Sequence, residues 1–181
     1  SPLSAIAVED NVFWMGAEEF YAYGGTVQRL PCSVRDYVFS DINVDQLEKV
    51  TAGVNSAFSE VTWFYPSASS SENDSYVTYN YDQKIWYYGL LARTVWLDRG
   101  VNADPTAAAP DHYLYSHEIG FDDGSVNPPV AISSYIESEP FELGNGDKFS
   151  FITRIIHDIT FRLRDASTSA SQQADITLKV S

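Results

Sequence analysis

Cysteine is almost absent from this chain, since Cys32 is the single one among 181 residues. No disulfide can form within the chain, so nothing in the sequence indicates an oxidising compartment. A lone cysteine behaves as a small buried apolar residue unless a base activates its thiol, and no histidine stands near this one in sequence. We therefore expect a structural role for Cys32, with a catalytic thiol as the alternative.

Basic residues are also scarce. The chain has 11 Lys and Arg against 25 Asp and Glu, which gives a formal net charge of −14. Affinity for nucleic acid depends mainly on Lys and Arg that neutralise phosphates, and the sequence contains no basic cluster. Binding of DNA or RNA is therefore not expected, whereas an acidic wall along which DNA slides without sticking is compatible with this charge.

Long apolar runs are missing as well. No run approaches the ~20 residues that a membrane span needs, so no span is predicted. Residues 1–4 lack the basic start and the apolar stretch of a signal peptide. They also lack an initiator Met, which leads us to expect a processed chain or a portion of a longer protein.

The common catalytic patterns do not occur either. The sequence contains no Walker A, GxGxxG, GxSxG or HExxH motif and no sialidase-type Asp box. His112 and His117 lie five residues apart, a spacing that puts two side chains on opposite faces of a strand, so we predict surface histidines of a strand. His157 and Asp158 lack the third group of a catalytic triad. We predict no enzymatic activity, no cofactor and no metal site.

Aromatic residues, by contrast, are abundant: 12 Tyr, 10 Phe and 4 Trp make up 14 % of the chain. Aromatic and β-branched side chains fit the half-buried surface of a sheet, so an all-β fold is predicted. Residues 102–111, which include three alanines between two prolines, are predicted to form a loop. The strand candidates up to position 120 are residues 5–8, 12–15, 20–23, 26–30, 60–66, 75–81, 84–89, 93–97 and 112–120.

One short helix is predicted over residues 44–50. Val44, Leu47 and Val50 recur every three residues, and Asn43 or Asp41 can cap the segment at its start. Gly53 is expected to end it.

A hairpin of aromatic strands recurs along the chain. Residues 13–16 with 20–23, and residues 63–65 with 79–81 and 86–89, follow the same theme, which indicates a repeat of about 40–50 residues typical of propeller blades. Beyond residue 129 the character changes, with strand candidates at 132–136, 150–156, 159–163 and 174–180. We predict propeller-blade-like antiparallel sheets over residues 1–129. A C-terminal, β-sandwich-like set of strands over residues 130–181 is predicted to pack on them, and the alternative is a set of strands added to a sheet elsewhere.

Several aromatic segments resemble a family of virion proteins. They are EVTWFYPS at residues 60–67, SYVTYNY at 75–81, WYYG at 86–89, ARTVW at 92–96, YLYSHE at 113–118, DDG at 122–124 and NPP at 127–129. Together they resemble the tail hub or nozzle proteins of short-tailed phages, including the packaged-DNA stabilisation proteins. The resemblance covers roughly residues 10–180 and rests on strand patterns, with no catalytic signature.

The resemblance implies a structural role in the virion tail for a chain made in the host cytoplasm. Family members are β-rich and contain propellers. They assemble as homo-oligomeric rings at the end of the portal and adaptor channel, where they help to close the head and retain DNA until ejection, and DNA passes through without specific binding. They are longer than this chain, so we expect a C-terminal portion. The family has no catalytic residues, and its interface residues follow no motif that can be transferred.

A second interpretation stays open. Phage tails also contact host surfaces, and the aromatic side chains could stack on sugars in a carbohydrate-binding or glycan-cleaving module. Glu137 and Glu139 alternate onto one face of a predicted strand and would be the candidate carboxylate pair. A propeller that acts as a scaffold for partner proteins outside phages is a third possibility.

Overall fold

The computed structural model describes residues 1–120, 122–123, 128, 130–131 and 154 of the chain. The chain divides into two units, Ser1–Ile132 and Ser133–Ser181, and the fold below is that of the first. The predicted domain boundary between residues 129 and 130 stays a prediction.

The first sheet has four antiparallel strands in chain order: β1 Ala5–Val8, β2 Asn11–Met15, β3 Phe20–Tyr23 and β4 Val27–Leu30. Phe13 and Met15 of β2 are buried and Val12 and Trp14 are half-buried, which is the alternation of a sheet with one face on the core. Tight turns join the strands. Glu9 adopts a positive φ of 53° between β1 and β2, and Gly25 adopts one of 92° between β3 and β4.

The second sheet repeats this arrangement with β5 Thr51–Asn55, β6 Glu60–Tyr65, β7 Ser75–Asn80 and β8 Ile85–Leu90. The third sheet is shorter and consists of β9 Val95–Leu97, β10 Thr106–Ala108 and β11 Leu114–Ser116. A last pair, β12 Asp122–Asp123 with β13 Val130–Ala131, is also antiparallel. The predicted all-β class is confirmed.

Helical structure is sparse, and its position corrects the prediction. Residues 44–50 do not form an α-helix, because Val44–Lys49 is a 3-10 segment with a non-helical backbone at Gln46. Gly53 lies inside β5 and not at a helix end. The described residues contain one α-helix, α1, Arg35–Asp41, which was not predicted. Its seven residues include β-branched and aromatic side chains, which have a low helix propensity. The residue before the helix, Val34, has no side chain that can cap it. The sequence therefore carries little helical signal.

The predicted loop over residues 102–111 is also wrong in part. Thr106–Ala108 is the central strand β10 of the third sheet. Two of its residues are alanines, which have a low strand propensity, so its position depends on the strands on either side of it.

The main core lies between the first and the second sheet. Phe20 and Trp63 are fully buried there, with ring centroids 5.0 Å apart. The buried cluster comprises Val8, Phe13, Met15, Phe20, Val38, Ile42, Val50, Val61, Trp63, Tyr65, Val77 and Tyr79. The second sheet is also covered on its other face, where Phe64 stacks on Trp96 at 5.9 Å. It is therefore the middle layer of three packed sheets.

The first strands of the three sheets lie side by side, with β1 beside β5 and β5 beside β9. They begin at Ala5, Thr51 and Val95, so 46 and then 44 residues separate their starts. No closed ring or barrel forms among the described residues, and the predicted propeller is not confirmed. The predicted sandwich-like strands at 132–136, 150–156, 159–163 and 174–180 lie outside the described residues, position 154 excepted.

Candidate functional site

A groove of about 590 Å³ runs along the ends of the three first strands. It forms because β1, β5 and β9 are neighbours, which brings the turns that follow them to one place. Glu9 follows β1, Ser56 follows β5 and Asp98 follows β9. Glu9 and Asp98 are the charged residues of the lining, so the groove is acidic.

Hydrogen bonds to the backbone fix the carboxylate of Asp98. The amide of Ser56 donates to its two oxygens at 3.2 and 3.3 Å, and the amide of Arg99 donates to Oδ1 at 2.8 Å. The Arg99 guanidinium in turn donates from Nε to Ser56 Oγ at 3.3 Å. Asp98 therefore joins the end of β9 to the turn after β5 and holds this side of the groove in place.

A second hollow of about 420 Å³ lies between the first sheet and the turn that joins β7 to β8. Its floor includes Phe13 and Tyr81, whose rings stack with centroids 6.2 Å apart. Its charged lining residues are Glu9, Arg29 and Lys84. Carboxylate and cationic groups are mixed here, and Glu9 lines both hollows.

A polar cluster lies on the third sheet, beside the second. His117 Nε2 accepts a hydrogen bond from Arg93 Nε at 2.9 Å, and its ring packs on Trp96 with centroids 4.7 Å apart. Burial and the nearby guanidinium lower the pKa of His117 to about 4, so the imidazole is neutral at pH 7. The guanidinium also lies over the ring of Tyr115, whose hydroxyl donates to Asp111 Oδ2. This network ties residues within and beside the strands of the third sheet to one another.

The histidine prediction is wrong in its placement, because β11 spans only Leu114–Ser116. His112 precedes the strand, is exposed and adopts a positive φ of 70° in a turn. His117 follows the strand and is half-buried, and its amide donates to the carbonyl of Pro105 at 2.8 Å. These turns stop the strand at three residues, so neither histidine lies on a strand surface.

The other residues considered as metal ligands or catalytic groups either do not cluster in the structure or lie outside the described residues. In the described part of the chain, no group of three His, Cys, Asp or Glu residues could hold a metal ion. Glu137, Glu139, His157 and Asp158 lie outside the described residues. Cys32 is half-buried against the core, and burial raises the pKa of its thiol to about 11, so the thiol stays protonated at neutral pH.

Sequence reasoning missed an exposed aromatic pair. Tyr37 of α1 stacks on Tyr88 of β8 with ring centroids 4.0 Å apart, and each is 45 % exposed. The pair depends on α1, which the sequence did not indicate.

No helix among the described residues is long and apolar enough to cross a membrane. Comparison with models of known protein families finds no match, and no curated protein matches the chain.

Proposed function

We propose that this chain is a structural component of a phage virion. In this proposal it forms part of the tail hub or nozzle that closes the head–tail channel and retains packaged DNA until ejection. The resemblance of its aromatic strands to such proteins is one support. The observation that carries the proposal is the arrangement of the three first strands, which stand side by side and bring carboxylates to one groove.

The order of the strands supports an interpretation of the three sheets as propeller blades. In a propeller, each blade is an antiparallel meander, and the first strands of successive blades surround the central channel. Here each sheet is a meander in chain order, the period is 46 and then 44 residues, and each first strand contacts the next. Three such sheets are fewer than the four to eight that close a propeller.

The charge of the groove supports a surface that DNA passes without adhering. DNA carries a dense row of phosphates, which bind Lys and Arg and are repelled by carboxylates. Glu9 and Asp98 are the charged residues that line the groove, Arg99 lies at its edge on Ser56 Oγ, and the whole chain carries a net charge of −14.

The polar side chains near the groove support a structural and not a catalytic role. Asp98 accepts backbone hydrogen bonds, and His117 accepts from Arg93. A general base needs a free lone pair directed at a substrate, and the Nε2 lone pair of His117 is taken by Arg93, while the Asp98 carboxylate is held in place by two backbone amides.

Co-assembly with neighbouring virion proteins tests the proposal. The full chain is expressed with the portal and adaptor proteins of a short-tailed phage that carries its gene, and the products are separated on a sedimentation gradient and imaged by electron microscopy. We expect the chain to sediment with the portal–adaptor complex and to add density at its open end. A chain that never joins the complex would contradict the proposal.

A second candidate function is carbohydrate binding, and the exposed pair of Tyr37 and Tyr88 favours it. Aromatic faces stack on sugar rings, and this pair offers such a surface. A glycan array with the wild type and with Tyr88→Ala tests it, with Tyr113→Ala as the control because Tyr113 is 69 % exposed elsewhere. Binding lost only in Tyr88→Ala would support this function.

A hydrolysis assay with Glu137→Gln and Glu139→Gln tests cleavage, and absence of both binding and turnover would reject the candidate.

A further inference from the structure

The first sheet has an apolar outer face that no described residue covers. Facing away from the second sheet, β1 to β4 present two rows of side chains. The apolar members of these rows are Ala5, Trp14 and Tyr21, and Ala7, Val12, Tyr23 and Val27; the first row ends at Arg29, which forms an ion pair with Glu19. Tyr23 is 45 % exposed and Val27 is 63 % exposed. An exposed apolar face of this kind marks a surface that packs against a partner.

The third sheet has an outer face of the same kind. Trp96 and Ala107 point towards the second sheet, so Val95, Leu97 and Leu114 point away from it. These three side chains are 57 %, 63 % and 75 % exposed. Each end of the stack of three sheets therefore has an uncovered apolar face among the described residues.

Within the chain, faces of this kind are covered by another sheet. Trp63 of β6 faces the preceding sheet and is fully buried. Its Nε1 donates to the carbonyl of Ser4, immediately before β1, at 2.8 Å. Trp96 of β9 likewise donates to the carbonyl of Val54 in β5 at 2.8 Å. In both interfaces a tryptophan of the later sheet is hydrogen-bonded to the backbone of the preceding one.

Trp14 occupies in the first sheet the place that Trp63 occupies in the second. Each is the fourth residue of the second strand of its sheet, and each faces the side on which a preceding sheet would stand. Trp63 has that sheet, whereas Trp14 is half-buried and stacks only on Tyr21, at 5.4 Å. Its Nε1 makes no hydrogen bond with the part of the chain that the structure describes. The outer face of the first sheet thus has the features of a face on which another sheet packs.

We propose that a second copy of this chain supplies that sheet. The outer face of the first sheet in one copy packs on the outer face of the third sheet in the other, and Trp14 takes the role that Trp63 has inside the chain. The contact continues the sheet-on-sheet packing already present, and each copy carries both of the required faces. With the β12–β13 pairs left aside, two copies bring together six sheets of three or four strands, within the four to eight of a closed propeller, and cover both faces of each copy. This inference rests on the blade interpretation and not on the tail-hub role.

The molar mass in solution tests the inference. The mass of the full chain is measured by sedimentation equilibrium from low to high micromolar concentration, and we expect a dimer. Tyr23→Glu on the first sheet and Leu97→Glu on the third should each weaken dimerisation by at least about tenfold, because each buries an unpaired charge. Val101→Glu is the matched control, since Val101 is fully exposed in a loop, and it should dimerise like the wild type. Circular dichroism spectra confirm that each variant is folded.

Mixing the two variants separates this arrangement from a symmetric one. In a head-to-tail contact, Tyr23→Glu and Leu97→Glu together retain one intact interface, so a mixture should give a heterodimer although each alone is mainly monomeric. Leu97→Glu that dimerises like the wild type would show that first-sheet faces pair with each other, which overturns the proposal. A wild type that is monomeric at every concentration also overturns it. A dimer that never joins the portal–adaptor complex contradicts only the tail-hub role, whereas a monomeric chain found within that complex contradicts only this inference.

Discussion

Tryptophan side chains join the sheets of this protein at the scale of single residues. Three indole N–H groups donate to backbone carbonyls of an earlier part of the chain, each at 2.8 Å. The pairs are Trp63 with Ser4, Trp86 with Pro31 and Trp96 with Val54. The indole of Trp63 is fully buried and requires a partner for its N–H, and the hydrogen bonds of the half-buried Trp86 and Trp96 orient their rings in the same way.

The side chain of Trp96 packs directly against the backbone of Gly53. A Cβ at position 53 would lie 2.6 Å from Trp96 Cβ, and the indole cannot move away because it donates to Val54 and stacks on Phe64. We therefore predict that Gly53→Ala lowers the free energy of unfolding by about 1–3 kcal/mol, measured by urea denaturation. Gly100→Ala, where a Cβ meets no atom within 4 Å, should change it by less than about 0.5 kcal/mol. Equal effects of the two substitutions would contradict the packing described.

His117 makes stability depend on pH. Its pKa is about 4 in the folded chain, against about 6.5 when unfolded, because burial and Arg93 disfavour the imidazolium. The unfolded chain thus binds more protons between these values, so this contribution is complete above pH 6.5 and is lost as the pH falls towards 4. We predict that His117→Gln, which keeps an acceptor for Arg93 but does not titrate, flattens the decline of melting temperature over this range.

The matched control for this prediction is His112→Asn, since His112 is exposed and asparagine tolerates its positive φ. This variant should keep the wild-type pH dependence. A His117→Gln profile that parallels the wild type would show that His117 does not contribute.

At the scale of elements, strands with strong side-chain patterns could be predicted and strands of small residues could not. The bounds of β1, β3 and β7 match the prediction within one residue, because aromatic and β-branched residues alternate between clear turns. β5 contains alanine and glycine, and β10 is Thr-Ala-Ala, so neither carries a strand signal of its own. Their small side chains are suited to the large rings of neighbouring strands, information that exists only once the sheets pack.

The groove could not be predicted for the same reason. Glu9 and Asp98 are 89 positions apart in sequence and line the same groove only because β1, β5 and β9 lie side by side. The aromatic repeat indicated successive sheets, but no local pattern indicates which strands of different sheets become neighbours.

The two faces of β10 provide a test at this scale. Ala107 is 1 % exposed and faces the second sheet, whereas Ala108 is on the opposite, outer face. Ala107→Leu should lower the free energy of unfolding by about 1–3 kcal/mol, because the added atoms have no space between the sheets. Ala108→Leu should cost much less. Chemical denaturation measures the free energy of unfolding of both variants. A larger loss for Ala108→Leu than for Ala107→Leu would contradict the assignment of Ala107 to the inner face.

At the scale of the whole molecule, the chain is acidic, and its described residues form three successive β-meanders whose first strands lie side by side. The net charge of −14 disfavours adhesion to DNA, and the carboxylates of the groove concentrate that property where the strands meet. The three meanders, the groove and the resemblance of the aromatic strands support the same proposal, a wall of the channel that holds packaged DNA.

Nuclease protection of packaged DNA tests this claim most directly. Heads are assembled in cells with the gene for this chain deleted and with the gene restored, and purified particles are treated with DNase. The account predicts that heads without the chain lose their DNA to the nuclease and that restoring the gene protects it. Heads that stay DNase-resistant and infectious without the chain would contradict the account.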